Sequence, residues 1–202
     1  RDLAEHMLRH FRASDGMELW SKTQMPSDSG ATAGGIAGFF DTSDEHEELI
    51  TRPRSLQDNA VPSGNAMAAL GLLRLAQLAV EPGYAEEARR SLQQVQGMLG
   101  RYPLGFAQWL SALEYALADT REIAIVGDPG DAEVEALLDV CVDGFRPHRV
   151  LAVGDPSEAD VTVPLLQDRP RVDGRATAYV CVDFTCRRPV TDPEALAEQL
   201  ER

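Results

Sequence analysis

Asp58-Asn59-Ala60-Val61-Pro62-Ser63-Gly64-Asn65, followed by Ala66-Met67-Ala68-Ala69-Leu70-Gly71-Leu72-Leu73-Arg74-Leu75-Ala76-Gln77-Leu78-Ala79, is the stretch on which the fold turns. Its first eight residues are polar or turn-forming, and the next fourteen are almost wholly apolar. Pro62 keeps the entry extended, and Ser63 is a natural N-cap whose hydroxyl can accept from an orphan N–H of the first turn. Only Arg74 and Gln77 interrupt the apolar run, which predicts a helix buried on several sides. A polar loop therefore sits at the N-terminal end of a buried helix.

The sequence on either side decides what that helix packs against. Upstream, Leu3, Met7, Leu8 and Phe11 recur at helical intervals and predict an amphipathic helix over roughly residues 2–13, ending near Ser14-Asp15-Gly16. Residues 16–62 are rich in Ser, Asp, Thr and Gly, with little periodicity. Gly38-Phe39-Phe40-Asp41 reads as a short strand or turn, residues 44–49 as a helical turn, and Leu49-Ile50 as a pin to the core. Downstream, Glu81-Pro82-Gly83 breaks the chain. Ala85, Ala88, Leu92, Val95 and Leu99 then form one narrow apolar stripe. Pro103 opens a third, wide-faced helix with Phe106, Trp109, Leu110, Leu113, Ala116 and Leu117. The alternation of buried, amphipathic and buried helices predicts a two-layered α/α arrangement over residues 1–120, since a four-helix bundle would make every helix amphipathic alike.

From residue 121 the pattern changes. Ile123-Ala124-Ile125-Val126 and Val150-Leu151-Ala152-Val153 flank a helix with Val134, Leu137, Leu138 and Cys141 on one face, which predicts a βαβ unit in a small segment over residues 121–202. A third run, residues 176–182, can join the sheet. Asp192-Pro193-Glu194 starts a last helix.

Bulk properties exclude several classes. The 202 residues carry a net charge of −14, which is adverse to a phosphate-binding surface, and Arg89-Arg90 and Arg187-Arg188 are isolated pairs rather than a basic patch. No apolar run is long enough to cross a bilayer. Three irregularly spaced cysteines do not make a disulfide framework, so a reducing cytoplasm is expected. Cys181 and Cys186 lack Cys-x-x-Cys spacing and read as structural thiols. The chain opens without Met, directly in a helical pattern, and reads as the tail of a longer protein.

Three stretches resemble the spermatogenesis-associated protein 20 family, formerly grouped as a domain of unknown function. They are Gly38-Phe39-Phe40-Asp41 with Leu49-Ile50-Thr51-Arg52-Pro53 leading into 58–65, then residues 122–128, then Thr177-Ala178-Tyr179-Val180-Cys181 through Phe184-Thr185-Cys186 to Thr191-Asp192-Pro193. The family's Gly-Gly-Phe-Phe reads Gly34-Gly35-Ile36-Ala37-Gly38-Phe39-Phe40 here. The resemblance implies the C-terminal portion of a protein that pairs a thioredoxin-like domain with a six-hairpin α/α toroid related to glycosidases and N-acylglucosamine 2-epimerases. The expected fold is then mainly α, a partial two-layered toroid with a small C-terminal α/β subdomain. The partners it implies are the N-terminal hairpins and the thioredoxin-like domain of the same protein.

For function, Asp58, Asn59, Ser63 and Asn65 offer a carboxylate, two amides and a hydroxyl, a set suited to a small carbohydrate-like ligand. Glycoside chemistry needs two carboxylates flanking the bond, and Asp41 and Asp58 are the pair by position, with Glu47 and Glu48 behind them. An epimerase would want a base such as His46, the histidine nearest the loop in sequence. The competing reading is a non-catalytic structural or interaction module, in which Ser63 caps the helix, Asp58 favours its dipole and the asparagines satisfy turn backbone. His6 and His10 are spaced i, i+4, but the sequence shows no third ligand, so no metal site is read. Gly127-Asp128-Pro129-Gly130-Asp131 lies between strand and helix, yet its aspartates oppose phosphate and the Gly-Lys-Ser/Thr ending is missing. No cofactor is expected.

Overall fold

The computed structural model describes residues 1–13, 37–45, 51–157 and 163–201. His46, Glu47, Glu48, Leu49 and Ile50, the turn residues Ser14, Asp15 and Gly16, the helical turn beyond Glu45, and Gly34, Gly35 and Ile36 lie outside these residues; the first helix itself stops at His10, short of the expected residue 13, because Arg12 turns into a bridge with Phe39. The chain divides into two compact units, one of residues 1–75 and 82–116, the other of 76–81 and 117–202.

The first unit is built on four helices, α1 (Asp2–His10), α2 (Gly64–Leu78), α3 (Pro82–Leu99) and α4 (Ala107–Leu117), with a 3-10 turn at Pro103–Gly105 before α4. Helix α3 behaves as its stripe predicts: Ala88, Leu92, Val95 and Leu99 are buried, joined by Tyr84, Glu87 and Ser91. Helix α2 is not wrapped on all sides. Ala66, Ala69, Leu72 and Leu73 are buried, but Gly64, Met67, Gly71 and Arg74 form an exposed stripe at helical spacing. Helix α4 likewise buries Trp109, Ala112 and Tyr115 while Leu110 and Leu117 stay exposed.

These stripes depart from the all-round burial that the toroid reading expects of its inner helices. Inner helices of a two-layered ring must be covered all round, and neither α2 nor α4 is. The other half of the structure is organised on a four-stranded sheet, so the protein is an α/β mixture and not a mainly α toroid. The error has a simple cause. Apolar or small residues such as Met67, Gly71 and Leu110 raise hydropathy without being buried.

The second unit holds β1 (Arg121–Val126), α5 (Ala132–Val142), β2 (Arg149–Gly154), β3 (Thr177–Val182), β4 (Thr185–Cys186) and α6 (Pro193–Glu201). Strand order is β2-β1-β3-β4. β1 and β2 pair in parallel, with Ile123 opposite Leu151, as the strand-helix-strand pattern predicts. β3 adds antiparallel to β1, with Val180 opposite Ile123. The run of β1 is buried on both faces, which is why it reads as continuous rather than alternating. Ile123 and Ile125 face a core with Val134, Leu137, Cys141, Val180, Leu196 and Leu200. Ala124 and Val126 face Val150, Ala152, Leu165 and Leu166, with Leu78 packed against them.

The β3–β4 connection is a two-residue turn in which Asp183 (φ 49°) and Phe184 (φ 60°) are both left-handed, the backbone of a primed hairpin turn. Its register sets Cys181 opposite Cys186, and the two form a disulfide. They are therefore not the free structural thiols that their spacing implies. Cys141 is the free, buried cysteine.

Candidate functional site

The 58–65 loop is held from within. Asp58 Oδ1 accepts from the backbone N–H of Ser63 at 2.8 Å, and its Oδ2 accepts from Gln108 N, in the first turn of α4, at 2.8 Å. One carboxylate thus joins the entry of α2 to the start of α4, where negative charge is favoured. Ser63 Oγ accepts from Ala66 N at 3.1 Å, the capping bond its sequence position predicts. Exposed Asn59 accepts from Ala60 N at 2.9 Å.

Asn65 sits in the first turn of α2 and is 1% exposed. Its Oδ1 accepts from Phe39 N at 2.7 Å, and its Nδ2 donates to Phe39 O at 2.9 Å and to Ser55 O at 3.1 Å. Asp41 accepts from the same Ser55 through its N–H, at 3.0 and 3.2 Å. Asp41 and Asn65 therefore converge on one residue, whereas the carboxylate of Asp58 is directed to α4. Around them Trp109 Nε1 donates to Leu56 O at 2.7 Å, and Arg54 donates to Gln94 Oε1 at 2.6 Å and to the carbonyl of Ala37. Burial pushes the Arg54 guanidinium below its ordinary range, with Asp41 opposing that shift. Gly38 stands at φ +96°, and a Cβ there would lie 2.7 Å from Asn65 Oδ1 and 2.8 Å from Arg54 Nη2. Only glycine fits this position.

Three other groupings add residues that the sequence reading does not bring together. Glu45 approaches His6 and His10, so the pair of histidines has a third potential donor beside it. Glu87, 4% exposed on α3, is paired with Arg12 at 2.7 Å and with Arg90. Glu122, 1% exposed in β1, accepts from Phe184 N at 2.9 Å, and Arg169 Nη2 lies 3.6–3.8 Å from both disulfide sulfurs. Burial raises the Glu122 carboxyl above its ordinary value; the Phe184 amide opposes that and Asp183 adds to it. A lone acid inside a β-branched run was the one signal in the sequence for this grouping.

A shallow cleft of about 240 Å³ lies against α5, lined by Ala132, Glu133, Ala136, Arg175, Thr191 and Pro193. Its charged groups are engaged with each other: Glu133 accepts from Arg175 Nε at 3.2 Å and from Ala176 N at 3.1 Å. The phosphate-loop position, 128–131, closes as a turn by Asp131 N donating to Asp128 O at 3.0 Å, and Asp131 makes no side-chain capping bond to α5.

Fold and loop together define a two-unit segment, one helical and one α/β, whose 58–65 loop is bonded to backbone of the helical unit. Comparison with known proteins places it among relatives. The chain is homologous to spermatogenesis-associated protein 20: it is 32% identical to the Rattus norvegicus protein over 158 residues, covering 77% of this chain and 20% of that protein. The Homo sapiens protein is 31% identical over 155 residues, covering 75% and 20%. An uncharacterized Caenorhabditis elegans protein is 24% identical over 162 residues, covering 80% and 22%. The chain thus spans about one fifth of the length of the curated relatives it matches. No family model and no solved structure matches it. Among the described residues no helix is long and apolar enough to cross a membrane.

Proposed function

We propose that this chain is a non-catalytic structural module of a larger protein like spermatogenesis-associated protein 20, with the 58–65 loop acting as a splint of the helical unit. The observation that carries this reading is the engagement of its polar groups. Both oxygens of Asp58 accept backbone N–H groups from two different helix starts, and Asn65 makes three bonds that join residues 39 and 55 to α2. A sugar site needs polar groups turned outward and available to a ligand. Here Asp58, Ser63 and Asn65 are turned to backbone, which must be satisfied wherever water is excluded, and Asn59 alone stays exposed.

The partner in this reading is the remainder of such a protein. Val61, Tyr102 and Leu104 are 70%, 59% and 95% exposed, and Asp58 N donates to Gly105 O at 2.8 Å, which ties the loop to the turn carrying Leu104. Apolar side chains left outward in this way suit a surface that another segment covers.

Asn65→Ala and Asp58→Asn in the full chain test the proposal. Asn65→Ala leaves a buried N–H and two carbonyls unmatched, so urea unfolding is expected to show a loss of about 3 kcal/mol; Asp58→Asn is expected to lose about 1–2 kcal/mol. Saccharide binding measured by calorimetry is the opposing readout. Specific binding of a saccharide to the wild type that Asp58→Asn abolishes at unchanged stability would make the loop a sugar site and end the structural reading.

A further inference from the structure

Helix α1 carries His6 and His10 one turn apart, with ring centroids 4.5 Å from each other. The segment after Thr42 returns to the end of this helix, where Asp44 N donates to His10 O at 3.0 Å. That return brings in the donor the helix lacks. One ligand atom each from His6, His10 and Glu45 lie within 4.8 Å of one another, and His10 Nε2 is 3.6 Å from Glu45 Oε1. Behind His10, Nδ1 is 2.8 Å from Asp44 Oδ1.

We infer that His6, His10 and Glu45 form a binding site for a divalent transition-metal ion of the zinc class, with Asp44 orienting His10 from behind. Two imidazoles and one carboxylate are borderline-hard donors, which suit zinc better than calcium or magnesium. An Nδ1–H given to the Asp44 carboxylate leaves the Nε2 lone pair facing Glu45, the outer-shell arrangement that fixes tautomer and ring direction in metal-bound histidines. Bond lengths of about 2.0–2.2 Å set tetrahedral ligand–ligand edges near ~3.4 Å, so the three atoms must close by roughly 1 Å around an ion. His6 and Glu45 are exposed, and their side chains can turn that far without repacking the core. Arg52, the nearby cation, is directed at backbone: its Nη2 donates to His10 O at 2.8 Å and to Thr42 O rather than toward the ligand nitrogens. Three protein ligands leave a fourth position for water or an incoming group.

The full chain, stripped of metal by chelator, is titrated with Zn²⁺ alone by calorimetry and with Co²⁺ alone by visible absorption. The wild type is expected to take one ion at this site, with the intense Co²⁺ bands of four-coordination. His6→Ala is the deciding variant, because His6 is exposed and its loss leaves the Asp44–His10 tie in place; affinity should fall about 100-fold or more and the Co²⁺ bands should vanish. Asp44→Asn keeps all three ligands and should weaken binding about 10–100-fold. Absence of stoichiometric Zn²⁺ binding by the wild type overturns the site. So does binding that His6→Ala and Glu45→Gln leave unchanged, since the ion would then be held elsewhere.

Discussion

Glu122 offers the sharpest test of how the α/β unit is held. It is a carboxylate 1% exposed in the central strand, and its Oε2 accepts from Phe184 N at 2.9 Å. Phe184 and Asp183 both have positive φ without being glycine, a conformation costing on the order of 1 kcal/mol per residue. The hydrogen bond from β1 thus holds a turn that its own residues do not favour. Glu122→Ala removes one buried methylene, about 0.8 kcal/mol of transfer energy, and the acceptor of Phe184, about 1–3 kcal/mol. Relief of a buried charge offsets part of this, leaving an expected loss of about 1–2 kcal/mol at neutral pH. Glu122→Gln keeps shape and acceptor, so its loss should be the smaller.

The pH dependence separates the two terms. Because burial raises the folded carboxyl above its ordinary 4.5, Glu122 holds its proton more tightly folded than unfolded. Its contribution is fully present below pH 4.5 and is lost as pH rises through the raised folded value. Glu122→Gln should therefore gain on the wild type as pH increases across that window. Urea unfolding of wild type, Glu122→Gln and Glu122→Ala between about pH 4 and 8 is the assay. Parallel wild-type and Glu122→Gln curves, or a Glu122→Ala loss under about 0.5 kcal/mol, would refute the reasoning.

Two further expectations concern the same unit. A Cβ added at Gly127 would lie 2.4 Å from Val134 Cγ2 and 3.4 Å from Ala176 Cβ, so Gly127→Ala should cost about 1–3 kcal/mol by overpacking; adding Val134→Ala should cost less than the sum of the two changes in thermal unfolding, and strict additivity would contradict the clash. The Cys181–Cys186 bond closes a sequence separation of only 5, so reducing it should remove about 2 kcal/mol on the loop-entropy account. Amide exchange should then accelerate at residues 182–185 while Ile123 and Ile125 stay protected; uniform acceleration across the sheet would contradict a local role.

Local signals in the sequence carried well. Ser63 caps α2, the stripe of α3 faces inward, and the β-branched runs at 121–126 and 149–154 pair in parallel, because each depends on neighbours within a turn or on a strand's own residues. Hydropathy and burial part company in the helical unit. Met67, Gly71 and Leu110 count as apolar or small, yet they are exposed, and with them goes the ring of all-round buried helices. The disulfide escaped notice because Asp183-Phe184 has none of the Asn-Gly or Gly character that marks a two-residue hairpin. Glu45 reaches the histidines only through the fold, since about 34 residues of chain lie between His10 and it.

Polar residues gathered in a loop have two possible employers, a ligand or the loop's own backbone, and composition alone does not separate them. In the helical unit, residues 37–45 and 51–62 run without regular secondary structure beyond the bridge of Phe39 to Arg12, so many of their N–H and C=O groups lack ladder partners. Arg52, Arg54, Asn65, Asp41 and Trp109 supply several of those partners, while Asp58 serves Ser63 and Gln108 beside them. A segment so built must be polar, must include Gly38 where Asn65 and Arg54 crowd the backbone, and will resemble a binding loop when read as a string. The useful discriminator is direction. Asp58 and Asn65 point their polar atoms at main chain, whereas His6 and Glu45 present theirs at an exposed surface, beside a histidine already oriented by Asp44. On that ground ion binding is expected at the end of α1 and support at the start of α2.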